Sequence, residues 1–275
     1  KTASFSLPIL QLLADKPRSE PNCVRALIIA PTRELAAQVA QNVEQYSQNL
    51  KVRSTAVFGG VRIEPQKYAL AQGVDILIAT PGRLLDLYEQ GDINFEHLEI
   101  LVLDEADRML DLGFIDHIHH IQKLLPEKRQ TLLFSATFSK EIKTLATTML
   151  NTPKTIELAR ANDHIEKITQ ILHPVDKERK NELLIHLIEN NDWSQILVFT
   201  RTKRGADELR NELEAKGIVA ESIHANRTQQ ARTLALNGFR DGSIKVLIGT
   251  DLAARGIDIQ RAWLFRYSAT TKQSS

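Results

Sequence analysis

The chain has 275 residues, of which 43% are hydrophobic and 25% are charged, and this composition indicates a soluble globular protein with room for two domains. The formal net charge of +1 excludes a general basic surface, so a nucleic-acid partner would have to be held by locally placed arginines, hydroxyls and backbone N–H groups. Cys23 is the only cysteine, which excludes an internal disulfide, and the lack of a signal peptide or of an apolar run of ~18–20 residues predicts a cytoplasmic protein without a membrane span.

The first half of the chain alternates short apolar runs with amphipathic stretches. A helical pattern runs from Lys1-Thr2 to Leu13. Strands are predicted at Ala26–Ala30, Asp75–Ala79, Ile100–Leu103 and Thr131–Phe134, and helices at Glu34–Tyr46, Gly82–Gln90 and Lys140–Met149. The strand runs are apolar on both faces, as in the buried interior of a parallel sheet. This alternation predicts an α/β fold with a mostly parallel sheet flanked by helices.

The same pattern starts again in the second half. Strands are predicted at Ile168–Leu172, Ile196–Thr200 and Lys245–Gly249, and helices at Lys177–Glu189 and Arg204–Lys216. Between the halves, residues 159–166 are polar and have no periodicity, so we expect a linker there. The predicted organisation is a first domain at 1–158, the linker, and a second domain at 167–260.

Two short motifs suggest phosphate chemistry. The strand Ile100–Leu103 leads directly into Asp104-Glu105, and carboxylates at the carboxyl end of a parallel strand can hold Mg²⁺ and orient a water molecule. The same pair can also be only a helix N-cap. Lys1-Thr2 matches the last two positions of G-x-x-x-x-G-K-[ST], whose Lys reaches phosphates and whose hydroxyl binds Mg²⁺. A Lys-Thr pair is common by chance. The phosphate-binding interpretation of Lys1-Thr2 is supported only by its position, because the pair opens a helix upstream of Asp104.

Small and polar residues follow several predicted strands, where exposed N–H groups and hydroxyls can meet a phosphate. They are Thr32-Arg33, Thr80-Pro81-Gly82-Arg83, Thr200-Arg201 and Thr250-Asp251, and Gly59-Gly60 is a separate glycine pair with no predicted strand before it. Contacts of this kind would hold nucleic-acid backbone without reading its sequence. Taken singly, each has a simpler interpretation: Thr32 as a helix cap before Arg33, Gly59-Gly60 as a turn and Arg83 as a solvated surface residue.

Taken in order, these segments resemble the motifs of DEAD-box RNA helicases, from Lys1 to about Gln260. The matching segments are Pro31-Thr32-Arg33-Glu34-Leu35, Gly59-Gly60, Thr80-Pro81-Gly82-Arg83, Asp104-Glu105-Ala106-Asp107, Ser135-Ala136-Thr137, Val198-Phe199-Thr200-Arg201, Gln229 with Arg232, and Thr250 to Asp258. They are similar to motifs Ia, the GG doublet, Ib, II, III, IV, the Q-x-x-R element and V. Within the family, the sequence resembles the bacterial RhlE-like group.

The resemblance implies two tandem RecA-like domains that bind ATP and Mg²⁺ between them. It implies that Lys1, Thr2 and Asp258 bind the nucleotide, that Asp104 and Thr2 hold Mg²⁺, and that Asp104 and Glu105 are catalytic, with Glu105 acting on the hydrolytic water. Asp107, Ser135 and Thr137 would couple the ATP site to RNA. The implied RNA-binding residues are Thr32, Arg33, Gly60, Thr80, Gly82, Arg83, Thr200, Arg201, Gln229, Arg232, Thr250 and Asp251. The expected partner is RNA, as single strands and short duplexes without sequence specificity, and we expect a monomer.

Some family elements are missing from the sequence: the glycine-rich loop before Lys1, the Q motif, and motif VI with its arginine finger. The alternative interpretation is therefore a catalytically impaired RNA-binding remnant, and a second is a DNA helicase or general translocase. Residues 261–275 match nothing in the family and show no strand alternation. A shift of one base in codons for Phe265–Ala269 would read Phe-Asp-Ile-Pro, as the family expects. We therefore predict a frameshift and a non-native tail.

Two further features have structural interpretations. His117, His119 and His120 lack the i, i+4 spacing that brings helical side chains to one ion, so we expect no metal there. Trp193 is expected to pack beside the strand Ile196–Thr200 and not to stack on a base.

Overall fold

The computed structural model describes residues 1–157, 169, 171–250 and 262–266. They fall into two compact units, Lys1–Lys167 (unit 1) and Ile168–Ser275 (unit 2). The predicted linker at 159–166 lies outside the described residues. In the described part of the chain, the helices are all too short or too polar to cross a membrane.

Unit 1 is a five-stranded parallel sheet covered by helices. Its strands are β1 Val24–Ile29, β2 Ser54–Val57, β3 Val74–Ala79, β4 Ile100–Leu103 and β5 Gln130–Leu133. Its helices are α1 Thr2–Leu13, α2 Arg33–Tyr46, α3 Glu64–Ala71, α4 Pro81–Glu89, α5 Ala106–Asp111, α6 Ile115–Leu124 and α7 Lys140–Met149. The strand order is β2-β3-β1-β4-β5, so the three strands β3, β1 and β4 are central.

The apolar character of both strand faces follows from two core layers. In β1, Leu27 and Ile29 pack into the core on one face, and Ala26 and Ile28 pack into the core on the other. Each of these side chains is fully buried. Phe5 of α1 lies on the second layer, with its ring centroid 5.3 Å from that of Phe134. The prediction of a buried parallel sheet is confirmed.

Unit 2 contains a second parallel sheet, ordered β7-β8-β6-β9. Its strands are β6 Ile196–Thr200, β7 Ala220–Ile223, β8 Val246–Thr250 and β9 Trp263–Arg266. A 3₁₀ turn at Lys177–Arg179 leads into α8 Lys180–Glu189, and the other helices are α9 Lys203–Ala215 and α10 Gln229–Asp241. The predicted fold class, two parallel α/β sheets flanked by helices, is confirmed.

Two predictions about strands in the second half are wrong. Of the predicted strand Ile168–Leu172, the described residues lie in no strand, and Leu172 is 84% exposed because no sheet covers it. Conversely, β9 lies within the tail that was expected to form no strand. It pairs with β6 in the register Ile196↔Trp263. The ring of Trp263 stacks on that of Trp193, with their centroids 4.8 Å apart. Trp193 packs against this core as predicted, and the non-native origin of the tail stays a prediction.

Candidate functional site

The parallel pairing of unit 1 brings the ends of all its strands to one edge of the sheet, the carboxyl edge. Backbone hydrogen bonds continue the ladder past the strands: Ala30 N donates to Ala79 O at 2.9 Å, and Asp104 N donates to Ile29 O at 3.0 Å. The loops therefore leave the sheet in register. Across the edge they carry, in order, Gly59-Gly60, Thr80 to Arg83, Thr32-Arg33, Asp104-Glu105 and Ser135 to Thr137.

Asp104 is a buried carboxylate with an unsatisfied oxygen. It is 3% exposed, and its Oδ1 has no hydrogen-bond partner. Burial and the neighbouring charge of Glu105 raise the pKa of Asp104 to about 6, and the backbone N–H of Glu105 and the charge of Lys1 oppose the shift. A buried carboxylate in this condition suits a cation, which would satisfy the oxygen and stabilise the ionised form.

Glu105 occupies a strained backbone position. Its φ of 53° and ψ of 53° lie in the left-handed region, which residues with a side chain seldom adopt. Its Oε2 lies 3.4 Å from Nη1 of Arg108, whose guanidinium is buried. Strain of this kind persists where the surroundings impose it and is frequent at active sites. Arg108 was not among the predicted site residues, and its i, i+3 spacing from Glu105 is the sequence signal that could have found it.

Asp107 joins the loop after β4 to the loop after β5. Its Oδ2 accepts a hydrogen bond from Thr137 N at 3.1 Å. The Ser135 hydroxyl donates to Thr137 O at 2.7 Å, so the three residues form one short chain of contacts. The structure thus brings the three predicted coupling residues together, although Thr137 contributes its backbone and not its hydroxyl to these bonds.

Arg33 lies across the glycine pair after β2. A Cβ built on Gly60 would be 1.8 Å from Nη1 of Arg33 and 2.4 Å from its Cζ, and Gly60 has a left-handed φ of 76°. Glycine is therefore required at position 60 for two reasons. Its backbone conformation disfavours a side chain, and a Cβ would overlap the Arg33 guanidinium. Thr32 caps α2, because its Oγ1 accepts from Leu35 N at 3.3 Å. The capping interpretation of Thr32 is confirmed, and it leaves the Arg33 guanidinium at the carboxyl edge.

The loop between β3 and α4 presents a backbone with open space. Thr80 is 8% exposed and stands at the N-cap of α4 without a capping bond from its side chain. A Cβ on Gly82 would meet nothing within 4 Å. Arg83 is not a solvated arginine: its side chain is 11% exposed, with Nε 3.3 Å from Asp86 Oδ2 and Nη2 3.4 Å from Val61 O.

Unit 2 places its first candidate residues at the carboxyl ends of two paired strands. Thr200 ends β6, Thr250 ends β8, and the two residues are register partners. Thr200 is 7% exposed and its hydroxyl donates to Thr202 O at 3.2 Å. Arg201, directly after it, is exposed. Asp251 and Asp258 lie outside the described residues.

Gln229 and Arg232 lie in the first turn of α10. Thr228 caps this helix through a bond from Ala231 N to its Oγ1 at 3.2 Å. The residues are therefore on a fixed helix start that follows the carboxyl end of β7.

A polar cluster before this helix, in which Ser222 and His224 are buried, was missed by sequence reasoning. His224 is 2% exposed, and its Nε2 lies 3.0 Å from Asp207 Oδ1, which also accepts from the Ser222 hydroxyl at 2.6 Å. Arg227 Nη2 donates to that same hydroxyl oxygen at 3.0 Å. Burial raises the pKa of Asp207, but the hydrogen bonds from His224 and Ser222 and the charges of His224 and Arg227 outweigh it and keep the pKa below its ordinary value. Because β7 contains polar residues, the sequence pattern did not predict that strand, and the cluster was missed with it.

Comparison with known families decides where the chain belongs. The sequence model described as DEAD/DEAH box helicase matches residues 1–145, and the model described as helicase conserved C-terminal domain matches residues 179–273. The second match includes residues 261–273, so the expectation that the tail matches nothing in the family is wrong. The chain belongs to the DEAD/DEAH box helicase family. The carboxyl edge of unit 1 is thus formed by the segments through which the chain resembles DEAD-box proteins.

Individual DEAD-box proteins are similar along nearly the whole chain. The ATP-dependent RNA helicase CshA of Listeria monocytogenes is 42% identical over 94% of this chain and 49% of its own length. The ATP-dependent RNA helicase DeaD of Haemophilus influenzae is 39% identical over 95% of this chain and 42% of its own length. The structure of S. cerevisiae Dbp5 bound to RNA and ADP BeF3 superposes with a TM-score of 0.79 at 29% identity, covering 95% of this chain and 65% of that one. The chain spans about half the length of the curated relatives it matches.

The buried charge of Asp104 predicts a pH-dependent stability. Because the folded pKa of about 6 lies above the ordinary 3.8, the ionised carboxylate destabilises the fold, and the penalty grows as pH rises from 3.8 to about 6. Asp104→Asn should therefore increase the free energy of unfolding by about 1–3 kcal/mol at about pH 8 and by less than half of that at about pH 4.5. Urea unfolding of both proteins at the two pH values checks this. A variant that is less stable at the higher pH would contradict the assignment of an unsatisfied charge.

Proposed function

We propose that the chain carries the ATP-handling and RNA-handling residues of a DEAD-box ATP-dependent RNA helicase, which remodels or locally unwinds RNA duplexes without reading their sequence. The observation that carries the proposal is the buried Asp104 oxygen without a partner, beside a strained Glu105, at the carboxyl edge of the sheet. Ligands of open parallel sheets bind at this edge. The alternative is an RNA-binding remnant with the same surfaces and impaired turnover.

The residues of unit 1 fit ATP with Mg²⁺. Mg²⁺ prefers hard oxygen ligands and usually keeps several waters, so Asp104 and the Thr2 hydroxyl would hold it with the phosphates. When bound, Mg²⁺ would neutralise the charge of the phosphate oxygens. Lys1 would bind a phosphate, and Glu105, positioned by Arg108, would orient and deprotonate the attacking water. Asp258 would approach the ribose; it lies outside the described residues, and its role stays a prediction.

RNA would lie across the carboxyl edge beside the nucleotide. Arg33 would contact one phosphate. The backbone N–H groups at Gly82 and the α4 N-terminus would donate hydrogen bonds to a second phosphate. The half-buried Arg83 and the buried Thr200 have protein partners already, so direct contact with RNA would require them to exchange those partners. Thr32, Gly60 and Thr80 would shape the loops. Arg201, Gln229, Arg232, Thr250 and Asp251 would make the contacts from unit 2.

Coupling between the two ligands would use the contact of Asp107 with Thr137. A change at Asp104-Glu105 moves the start of α5, on which Asp107 lies, and Thr137 follows through their hydrogen bond. Ser135 follows through its bond to Thr137 O. None of these residues has a neighbouring base suited to nucleophilic attack in the described structure, so their proposed role is transmission.

The relatives support this function by their names and ligands. CshA and DeaD are ATP-dependent RNA helicases, and the Dbp5 structure contains RNA and ADP BeF3. Assignment to the RhlE-like group stays a prediction.

Phosphate release measured with and without single-stranded RNA tests the proposed chemistry. Glu105→Gln should lower RNA-stimulated release by roughly 10²-fold or more, because general-base catalysis contributes ~10²–10⁴-fold, and it should leave RNA affinity unchanged. Equal release by both proteins would contradict the role of Glu105. RNA binding without stimulated release by the unaltered chain would favour the remnant interpretation.

Gly60→Ala tests the RNA contact of Arg33. The added Cβ would occupy the position of the guanidinium, so affinity for single-stranded RNA should fall roughly tenfold for all sequences alike, since a bond to a charged group is worth ~1.5–3 kcal/mol. The slope of log affinity against log salt should fall by up to ~0.7.

Gly91→Ala is the matched control for this variant. Gly91 has a left-handed φ of 79°, so alanine brings the same backbone strain, but its Cβ would meet nothing within 4 Å. Gly91→Ala should keep the affinity and the salt slope of the unaltered chain. If the two variants bind RNA equally well, Arg33 is not part of the RNA surface.

A further inference from the structure

Three potential metal ligands converge at the amino edge of the unit 1 sheet, opposite the edge that carries Asp104. The ligand atoms of Glu20, Cys23 and His97 all lie within 4.8 Å of one another. Cys23 directly precedes β1 and His97 lies three residues before β4. The two segments are thus brought together by the pairing of β1 with β4.

The backbone holds the first two ligands in a tight turn. Cys23 N donates to Glu20 O at 3.1 Å, and Asn22 between them has a left-handed φ of 59°. Asn22 N in turn donates to Leu70 O at 3.0 Å. Glu20 and Cys23 therefore start from one rigid loop, and a ligand would not have to order it.

The third ligand is on a second fixed turn. His97 lies between Phe95 and Leu98, which are each 2% exposed, and Leu98 N donates to Phe95 O at 2.9 Å. The two turns are joined where Asn94 N donates to Asn22 O at 2.7 Å. A thiol, an imidazole and a carboxylate thus project from two loops that are hydrogen-bonded to each other.

We propose that Glu20, Cys23 and His97 bind one Zn²⁺ ion. Sulfur, nitrogen and oxygen donors together suit this borderline-soft cation, whose three protein ligands are commonly completed by a water. Ligand atoms of a tetrahedral zinc site lie ~3.2–3.7 Å apart. The exposed side chains of Glu20 and His97 have to close by about an ångström, while Cys23 stays buried as the anchor.

The surroundings favour a cation and leave room for the water. Burial raises the pKa of the Cys23 thiol, and the negative charges of the Glu20 and Glu96 carboxylates raise it further; a bound cation would offset the charge of those carboxylates. On binding, the S–H proton passes to solvent and the thiolate forms the Zn–S bond. The three residues line an open cavity of about 990 Å³. Glu99, also on its wall, is engaged by Arg25 and Lys16 and does not compete as a ligand.

A zinc ion here would join the amino ends of β1 and β4. The carboxyl ends of the same two strands lead to Thr32-Arg33 and Asp104-Glu105. The site would therefore stabilise the two central strands from the edge that the nucleotide and RNA do not use. It is distinct from the Mg²⁺ position in chemistry as well as place, because Mg²⁺ does not favour thiolate.

Cobalt substitution of the 275-residue chain tests the site. After chelator treatment, Co²⁺ should bind one equivalent and give a thiolate-to-cobalt charge-transfer absorption, and Zn²⁺ should abolish it by displacing Co²⁺. Cys23→Ser should remove the band, and His97→Gln, an exposed change that does not threaten the fold, should weaken Zn²⁺ binding at least tenfold. Zn²⁺ should also raise the Tm of the unaltered chain and raise it less in His97→Gln.

His119→Gln is the matched control, because His119 is a partly exposed histidine of α6 outside this cluster. It should keep the band, the stoichiometry and the Zn²⁺ affinity. Co²⁺ binding without a charge-transfer band, or a band that survives Cys23→Ser, would overturn the proposal. Equal losses in His97→Gln and His119→Gln would also overturn it, because they would show binding by dispersed histidines.

Discussion

The parallel direction of the unit 1 strands is the constraint on which the candidate site depends. Hydrogen-bonded parallel strands must all end at the same edge, so residues from loops far apart in the sequence become neighbours without any direct attraction between them. The hydrogen bond from Asp104 N to Ile29 O continues the pairing of β4 with β1. It therefore fixes the position of Asp104-Glu105 beside the loop that carries Arg33. The groups that we propose to bind nucleotide and RNA therefore share a rigid support, which short loops alone could not provide.

The same edge carries two energetically unfavourable features. Asp104 retains an unsatisfied buried oxygen, and Glu105 retains a left-handed backbone. Both features cost stability in the folded chain. Among the described residues, none donates a hydrogen bond to the buried oxygen of Asp104. A bound cation with phosphates would relieve the first, so binding and folding draw on the same interaction. The contact of Asp107 with Thr137 N extends that region to the loop after β5.

Sequence patterns predicted the parts of the fold that are buried on two faces. The bounds of β4, β6 and α7 agree with the prediction, because β4 and β6 are apolar runs and α7 has its buried residues Ile142, Leu145 and Met149 at helical spacing. The edge strands β2 and β7 were missed because they contain polar residues, and the apolar run at 168–172 misled because its described part is exposed. The motif residues could be placed at strand ends, but the overlap of Arg33 with Gly60 and the meeting of Cys23 with His97 depend on register between distant segments, which no local pattern encodes.

Hydrogen exchange followed by mass spectrometry tests the shared carboxyl edge most directly. Single-stranded RNA should protect backbone amides at 32–35, 58–60 and 80–83, and ATP with Mg²⁺ should protect amides at 2–4 and 104–107. Segments at the amino edge, 19–23 and 96–99, should exchange at the same rate with either ligand. Protection confined to the amino edge, or ligand protection that misses the loops after β1, β3 and β4, would contradict the account.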